Sequence, residues 1–166
     1  MTTTVRTLAI LRHAKAEHPP TGSDADRSLT SRGHADAGAA GAWLTAEGYL
    51  PDLVICSPSR RTRQTWHAVA IAMGEGHSPE VRYEPAVYDQ DGDELLELVQ
   101  DTSDKVGAIL LIGHNPSVSE LSELLDPSAM PGDGLRTSGI AVHQAAKWSA
   151  FGPGRAPRVA GHTARG

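Results

Sequence analysis

Cysteine is almost missing from this chain: its 166 residues include one, Cys56. An intrachain disulfide and a cysteine-built zinc site are thereby excluded. Aromatic residues are sparse, at 4%. Basic charge is in deficit, 15 Lys and Arg against 20 Asp and Glu, for a formal charge of −5. A general nucleic-acid binder would show net basic charge or a basic stripe, so that partner class is disfavoured, while a locally basic pocket for an anion is not. No apolar run approaches the ~18 residues of a membrane span. Met1 to Arg12 has no basic region, long apolar region and small-residue cleavage site in succession, so no signal peptide is read there. The expectation is a cytoplasmic protein with no membrane partner. No internal repeat is present. What remains, 39% apolar and 21% charged residues, is enough to bury a core, and the length suits one domain.

The domain is expected over residues 1–151. Residues 152–166 open with Gly152-Pro-Gly-Arg-Ala-Pro-Arg and read as a Gly/Pro-rich, basic, loosely held tail. His18 to Ser28 reads as a loop. Three apolar runs, Leu8–Leu11, Leu53–Cys56 and Ala108–Ile112, are continuous rather than alternating, as in strands buried on both faces of a parallel sheet. Val81–Glu84 and Gly139–His143 are weaker strand candidates, the second near an edge. Helical patterns lie between: Ser31 to Glu47, then Trp66, Val69, Ala70 and Met73, then Leu95, Leu98 and Val99, then Val118, Leu121 and Leu125. The alternation predicts a three-layer α/β/α sandwich on a mostly parallel sheet. Ser57-Pro58 and Asn115-Pro116 each read as an N-cap followed by proline at the first helical position.

The chemistry gathers where the buried strands end. Arg12-His13-Ala14-Lys15 follows the first, Ser57-Pro58-Ser59-Arg60-Arg61-Thr62-Arg63 the second, and Gly113-His114-Asn115-Pro116 the third. In a parallel sheet these points share the carboxyl edge, where open α/β sheets bind ligands. Histidines and arginines then converge beside helix N-termini, which favour anions. Arginine forks match phosphate oxygens. A neutral imidazole is a nucleophile near pH 7, and neighbouring arginines lower its pKa, whereas a bound phosphate dianion acts the other way. The remaining cations would hold oxygens as charge spreads in a transition state. Neither a P-loop nor a His-Glu-x-x-His pattern is present.

Leu11-Arg12-His13-Ala14 resembles the Arg-His-Gly signature of the histidine phosphatase superfamily, the phosphoglycerate-mutase-like proteins. Ser57-Pro58-x-x-Arg61-Thr62-x-Gln64-Thr65 resembles that superfamily's Ser-Pro-x-x-Arg-Ala-x-Gln-Thr segment, and Gly113-His114-Asn115-Pro116 its second-histidine segment. Arg-His-Ala-Lys, Asp24-x-x-Arg27-x-Leu29-Thr30-x-x-Gly33 and Gly-His-Asn-Pro are most similar to the short bacterial phosphohistidine phosphatases. The resemblance implies the histidine phosphatase fold over 1–151, with His13 as the nucleophile of a covalent phosphohistidine intermediate. Arg12, Arg61 and His114 would complete the pocket, water would release inorganic phosphate, and no metal or other cofactor is implied. Lys15, Arg27, Ser57 and Asn115 are candidates for substrate binding. Many members carry an acid for the leaving group; Glu84 and Asp89 fall in that region, though neither sits in a recognisable motif. A phosphoramidate tolerates a missing acid, because its imidazole leaves neutral. Mutases and phytases of the superfamily are longer, with insertions capping the site, and little chain is left here for a cap. The partner so implied is a phosphohistidine-bearing protein of the phosphorelay type. The alternatives are a broad small-molecule phosphomonoesterase with the same site, or a non-catalytic phosphate-binding module.

Other residues have plainer readings. Lys15 either steers anions or is solvated, and Arg27 either binds phosphate or pairs with Asp24. Arg60 and Arg63 read as solvated, Ser57 as a helix cap rather than a nucleophile, and Cys56 as a buried strand residue. His18, His34, His67, His77, His143 and His162 carry no motif and read as structural or exposed. The acidic stretch Asp89 to Asp104 reads as a solvated loop and helix face.

Overall fold

A computed structural model describes residues 5–129 and 134–164. Its six-stranded sheet has the order β3-β2-β4-β1-β5-β6. The strands are β1 (Arg6–Arg12), β2 (Leu53–Cys56), β3 (Glu80–Tyr83), β4 (Ala108–Gly113), β5 (Ile140–Ala145) and β6 (Arg158–His162). The helices are α1 (Ser31–Ala46), α2 (Arg60–Met73), α3 (Pro85–Asp89), α4 (Gly92–Gln100) and α5 (Ser117–Leu125), with 3₁₀ turns at Asp24–Asp26 and Trp148–Ala150. The first four strands in that order run parallel; β5 is antiparallel to β1, and β6 to β5.

The continuous apolar runs are explained by two-sided burial. Successive strand side chains point to opposite faces. Leu8, Ile10, Leu53, Ile55, Ile109 and Leu111 pack with Val87, Leu95, Val99, Val118, Leu121 and Trp148 on one face. Ala9, Leu11, Val54, Cys56, Leu110 and Ile112 pack with Ala40, Leu44, Trp66 and Val69 on the other. Helices α1 and α2 therefore form one outer layer, and α4 and α5 the other. This is the expected α/β/α sandwich.

Register brings three strand ends level. Leu11 of β1 and Cys56 of β2 both pair with Ile112 of β4, and Arg12 pairs with Gly113. The residues after each strand consequently emerge side by side.

Several local expectations are corrected. Helix α2 starts at Arg60 with Ser59 as its N-cap, so Ser57-Pro58 lies outside it. Ser59 and Thr62 hydroxyls are 2.7 Å apart, and Thr62 Oγ1 also lies within hydrogen-bonding distance of the Ser57 carbonyl, fixing the later start. Helix α5 starts at Ser117 with Pro116 at the cap, after a cis Asn115–Pro116 bond, so proline is not its first helical residue. The segment after Gly152 contributes β6, whose pairing makes β5 an inner strand rather than an edge. The Arg158 N–H also donates to Asp126 at 2.8 Å. That segment is thus tied to the sheet through residue 162, in contrast to the loose tail expected from its composition.

Candidate active site

Arg12 and His13 leave β1 at the carboxyl edge. His13 is 6% exposed. Its Nδ1 lies 2.7 Å from the Ala14 carbonyl. A carbonyl only accepts, so Nδ1 carries the proton and Nε2 holds the lone pair. The Ala14 N–H donates to Thr65 Oγ1 at 3.1 Å, anchoring this loop to α2. Burial pushes His13 down to about 3; the Ala14 bond opposes this, and His114, Arg61 and Arg12 add to it. The ring is neutral at neutral pH.

His114 follows β4, with its ring centroid 5.3 Å from that of His13. Arg61 Nη2 donates to His114 Nδ1 at 3.1 Å, so the His114 proton sits on Nε2, which donates to Ser57 Oγ at 2.8 Å. Burial, then Arg61, lowers His114 to about 4. Arg61 is itself 5% exposed. Its Nη1 donates to the Asp24 carbonyl at 2.7 Å and its Nη2 to Asp24 Oδ2 at 2.9 Å. Arg12 Nη1 donates to the Leu135 carbonyl at 3.1 Å. Burial lowers the Arg12 pKa.

These groups line a cleft of about 490 Å³. Of the residues singled out in the sequence, Arg12, His13, Lys15, Arg27, Arg61, His114 and Asn115 line it, together with His18, Asp24 and Thr137. Ser57 does not; it is fully buried behind His114, where its hydroxyl positions that ring. The Asn115 amide is held on both sides. Its Nδ2 donates to the Leu135 carbonyl at 2.8 Å and its Oδ1 accepts from Ser119 Oγ. Arg27 has both of its expected roles in reach: it lines the cleft, and its Nη1 donates to Asp24 Oδ1 at 3.1 Å.

Glu84 and Asp89 are not among the cleft residues. Glu84 precedes α3 and its N–H donates to the Cys56 carbonyl, while Asp89 is exposed at the far end of that short helix. Helix α3 instead sends in Tyr88. Its hydroxyl donates to Asp24 Oδ2 at 2.6 Å, and its ring lies 5.4 Å from that of His114. The bonds from Tyr88, Arg61 and Arg27 hold the Asp24 carboxyl well below the usual carboxylate range. The cleft carboxylate is therefore ionised at neutral pH and carries no proton there. Tyr88 sits in no motif, so nothing in the sequence marked it. Asp24 was visible only as part of a spaced pattern. His18, read as structural or exposed, reaches the cleft wall beside Arg27 Nη2, at 3.1 Å. Cys56 is buried, and burial pushes its thiol up to about 12, as befits an inert strand residue.

The fold and the paired histidines define a class. Residues 8–106 match the Histidine phosphatase superfamily (branch 1), and the chain belongs to that superfamily. It is similar to the uncharacterized protein Rv1276c of Mycobacterium tuberculosis, 33% identical over 166 residues that cover 93% of this chain and 100% of that one. Among solved structures, it is similar to SixA from Nakamurella multipartitia, with a TM-score of 0.79, 32% identity and 95% of each chain covered. A protein histidine phosphatase SixA complexed with tungstate gives a TM-score of 0.79 at 26% identity, covering 95% of this chain and 97% of that one. No helix among the described residues is long and apolar enough to cross a membrane.

Proposed function

We propose that the chain is a phosphatase that removes the phosphoryl group of a protein phosphohistidine, through a covalent intermediate on His13. The observation that carries this reading is the fixed tautomer of His13, which leaves an unprotonated Nε2 in a cleft walled by Arg12 and Arg61. A neutral nitrogen nucleophile beside guanidinium groups suits attack on a phosphoryl group, whose oxygens those groups can hold. His13 Nε2 attacks phosphorus, the leaving group departs, and water then hydrolyses the phosphohistidine to inorganic phosphate. Arg12 and Arg61 neutralise the phosphoryl oxygens, and His114 supports the pocket through Arg61. A similar protein, the protein histidine phosphatase SixA, is complexed with tungstate, a tetrahedral oxyanion, which supports a phosphoryl-type ligand for this chain.

The cleft carboxylate supports this choice of substrate class. Asp24 is held ionised and Glu84 and Asp89 do not line the cleft. Alkyl esters need a proton for their alkoxide, which no carboxyl group among the described cleft residues supplies. A phosphoramidate of histidine does not make that demand.

The test is paired turnover by the wild type and His13→Ala. One substrate is a phosphohistidine-bearing carrier protein, the other a small alkyl phosphate. Rapid, His13-dependent release from the carrier with slow ester hydrolysis is expected. Faster ester turnover would favour a broad phosphomonoesterase, and phosphate binding without turnover of either would favour a binding module.

A further inference from the structure

Asp24 is the one carboxylate among the described residues that line the cleft. Its side chain is 52% exposed. A carboxylate offers about four lone-pair positions. Oδ2 accepts from Arg61 Nη2 at 2.9 Å and from Tyr88 at 2.6 Å, and Oδ1 accepts from Arg27 Nη1 at 3.1 Å. One acceptor position, on Oδ1, is left over at the cleft wall.

The charges around that position are one-sided. Arg61 faces Asp24 from α2, Arg27 from the chain after the 3₁₀ turn, and the neutral Tyr88 from α3. Arg12, Lys15, His18 and His114 share the cleft. A cationic ring entering the cleft is repelled by Arg12, Lys15, Arg27 and Arg61 and attracted by Asp24, the one carboxylate among the described lining residues.

We propose that Asp24 Oδ1 accepts the N–H of the distal ring nitrogen of the substrate's phosphohistidine, so that the leaving imidazole is bound in its protonated form. This rests on the phosphohistidine reading above. The step balances without an enzyme acid. His13 Nε2 supplies the electron pair of the new N–P bond. The N–P bond to the substrate ring breaks, and its electron pair stays on the departing nitrogen. Because the distal nitrogen already carries a proton, the ring leaves as neutral imidazole. An anion beside an imidazolium favours the charged form, so the bound substrate's pKa rises and turnover persists to higher pH than the free substrate's own titration would allow.

The measurement is kcat and KM across the pH range for wild type, Asp24→Asn and Asp24→Glu, on phosphoimidazole and on 4-nitrophenyl phosphate, which has no distal N–H. Asp24→Asn loosens Arg61 and slows both substrates. The expected result is a further fall of about tenfold in the ratio of phosphoimidazole to ester kcat/KM, with the alkaline limb of kcat moved down by about one pH unit. Asp24→Glu restores part of both. An equal fall on both substrates with an unmoved limb would reduce Asp24 to a support for Arg61 and overturn the proposal. Wild type alone also decides: an alkaline limb of kcat at the free substrate's pKa overturns it, whether or not the variants fold. Ester turnover by wild type with no release from phosphoimidazole sinks the phosphohistidine reading itself, and is seen without any Asp24 variant.

Discussion

Neutrality of the two cleft histidines is set by burial, and it has a thermodynamic consequence. His13 is held down to about 3 and His114 to about 4, and burial also lowers His143. In the unfolded chain each returns to about 6.5. Below that pH the unfolded chain binds protons that the native chain refuses. Stability therefore falls on acidification from about pH 6.5 to about pH 4 and is regained on raising the pH through the same window. Thermal melts across it should show that slope, and His13→Gln should flatten part of it. Arg61 has a second, geometric consequence. Two of its nitrogens reach the Asp24 carbonyl, Asp24 Oδ2 and His114 Nδ1 at once. A lysine ammonium cannot keep that planar fork, so Arg61→Lys should lower kcat by about 10² or more while leaving the fold intact by circular dichroism. His13, Arg12 and His114 were legible because strand register carries them to one edge, and Arg61 because α2 begins shortly after β2 ends there. Tyr88 and the carboxyl role of Asp24 were not, because they depend on where a loop and a one-turn helix close over the cleft.

At the scale of elements, α2 organises the site. Beyond Arg61, its Gln64 Oε1 accepts from the Leu29 N–H at 2.7 Å and from Ser28 Oγ, and its Thr65 accepts from Ala14. One helix thus holds the loop that carries His13, the 18–28 loop and the Arg61 guanidinium. Two glycines of α1 separate stability from function. A Cβ on Gly41 would meet the Val69 carbonyl at 2.7 Å, at the crossing of α1 and α2 on the buried face. A Cβ on Gly33 would clash with the Lys15 carbonyl, two residues after His13. Gly41→Ala should cost about 1–3 kcal/mol by urea denaturation, with kcat of the folded fraction largely kept. Gly33→Ala should lose kcat as well, because relief of the clash moves the loop that carries His13. The inner strands were legible as apolar runs buried on both sides. Strand β6 was not, since Arg-Val-Ala-Gly-His has little apolar periodicity, and its place comes from pairing with β5 and from Asp126.

Over the whole molecule, the charge is divided against itself. The chain carries −5, yet Arg12, Lys15, Arg27 and Arg61 line one cleft in which Asp24 is the single carboxylate among the described residues. Acidic groups elsewhere, such as Asp91, Asp93 and Glu94 around the start of α4, lie away from it. A phosphorylated ligand approaching the carboxyl edge meets those four cations, while the rest of the chain is net negative. Such steering acts on encounter and is screened over about 8 Å at physiological salt. Lys15 tests this without disturbing the chemistry directly: its side chain is exposed at the cleft mouth, and its backbone carbonyl already accepts from the Thr30 N–H at 2.9 Å. Lys15→Gln should lower kcat/KM for a phosphoprotein by about two- to fivefold at low salt and leave kcat nearly unchanged. The difference between wild type and variant should shrink as salt is raised. A fall in kcat that salt does not diminish would instead place the Lys15 ammonium on the phosphoryl group in the transition state.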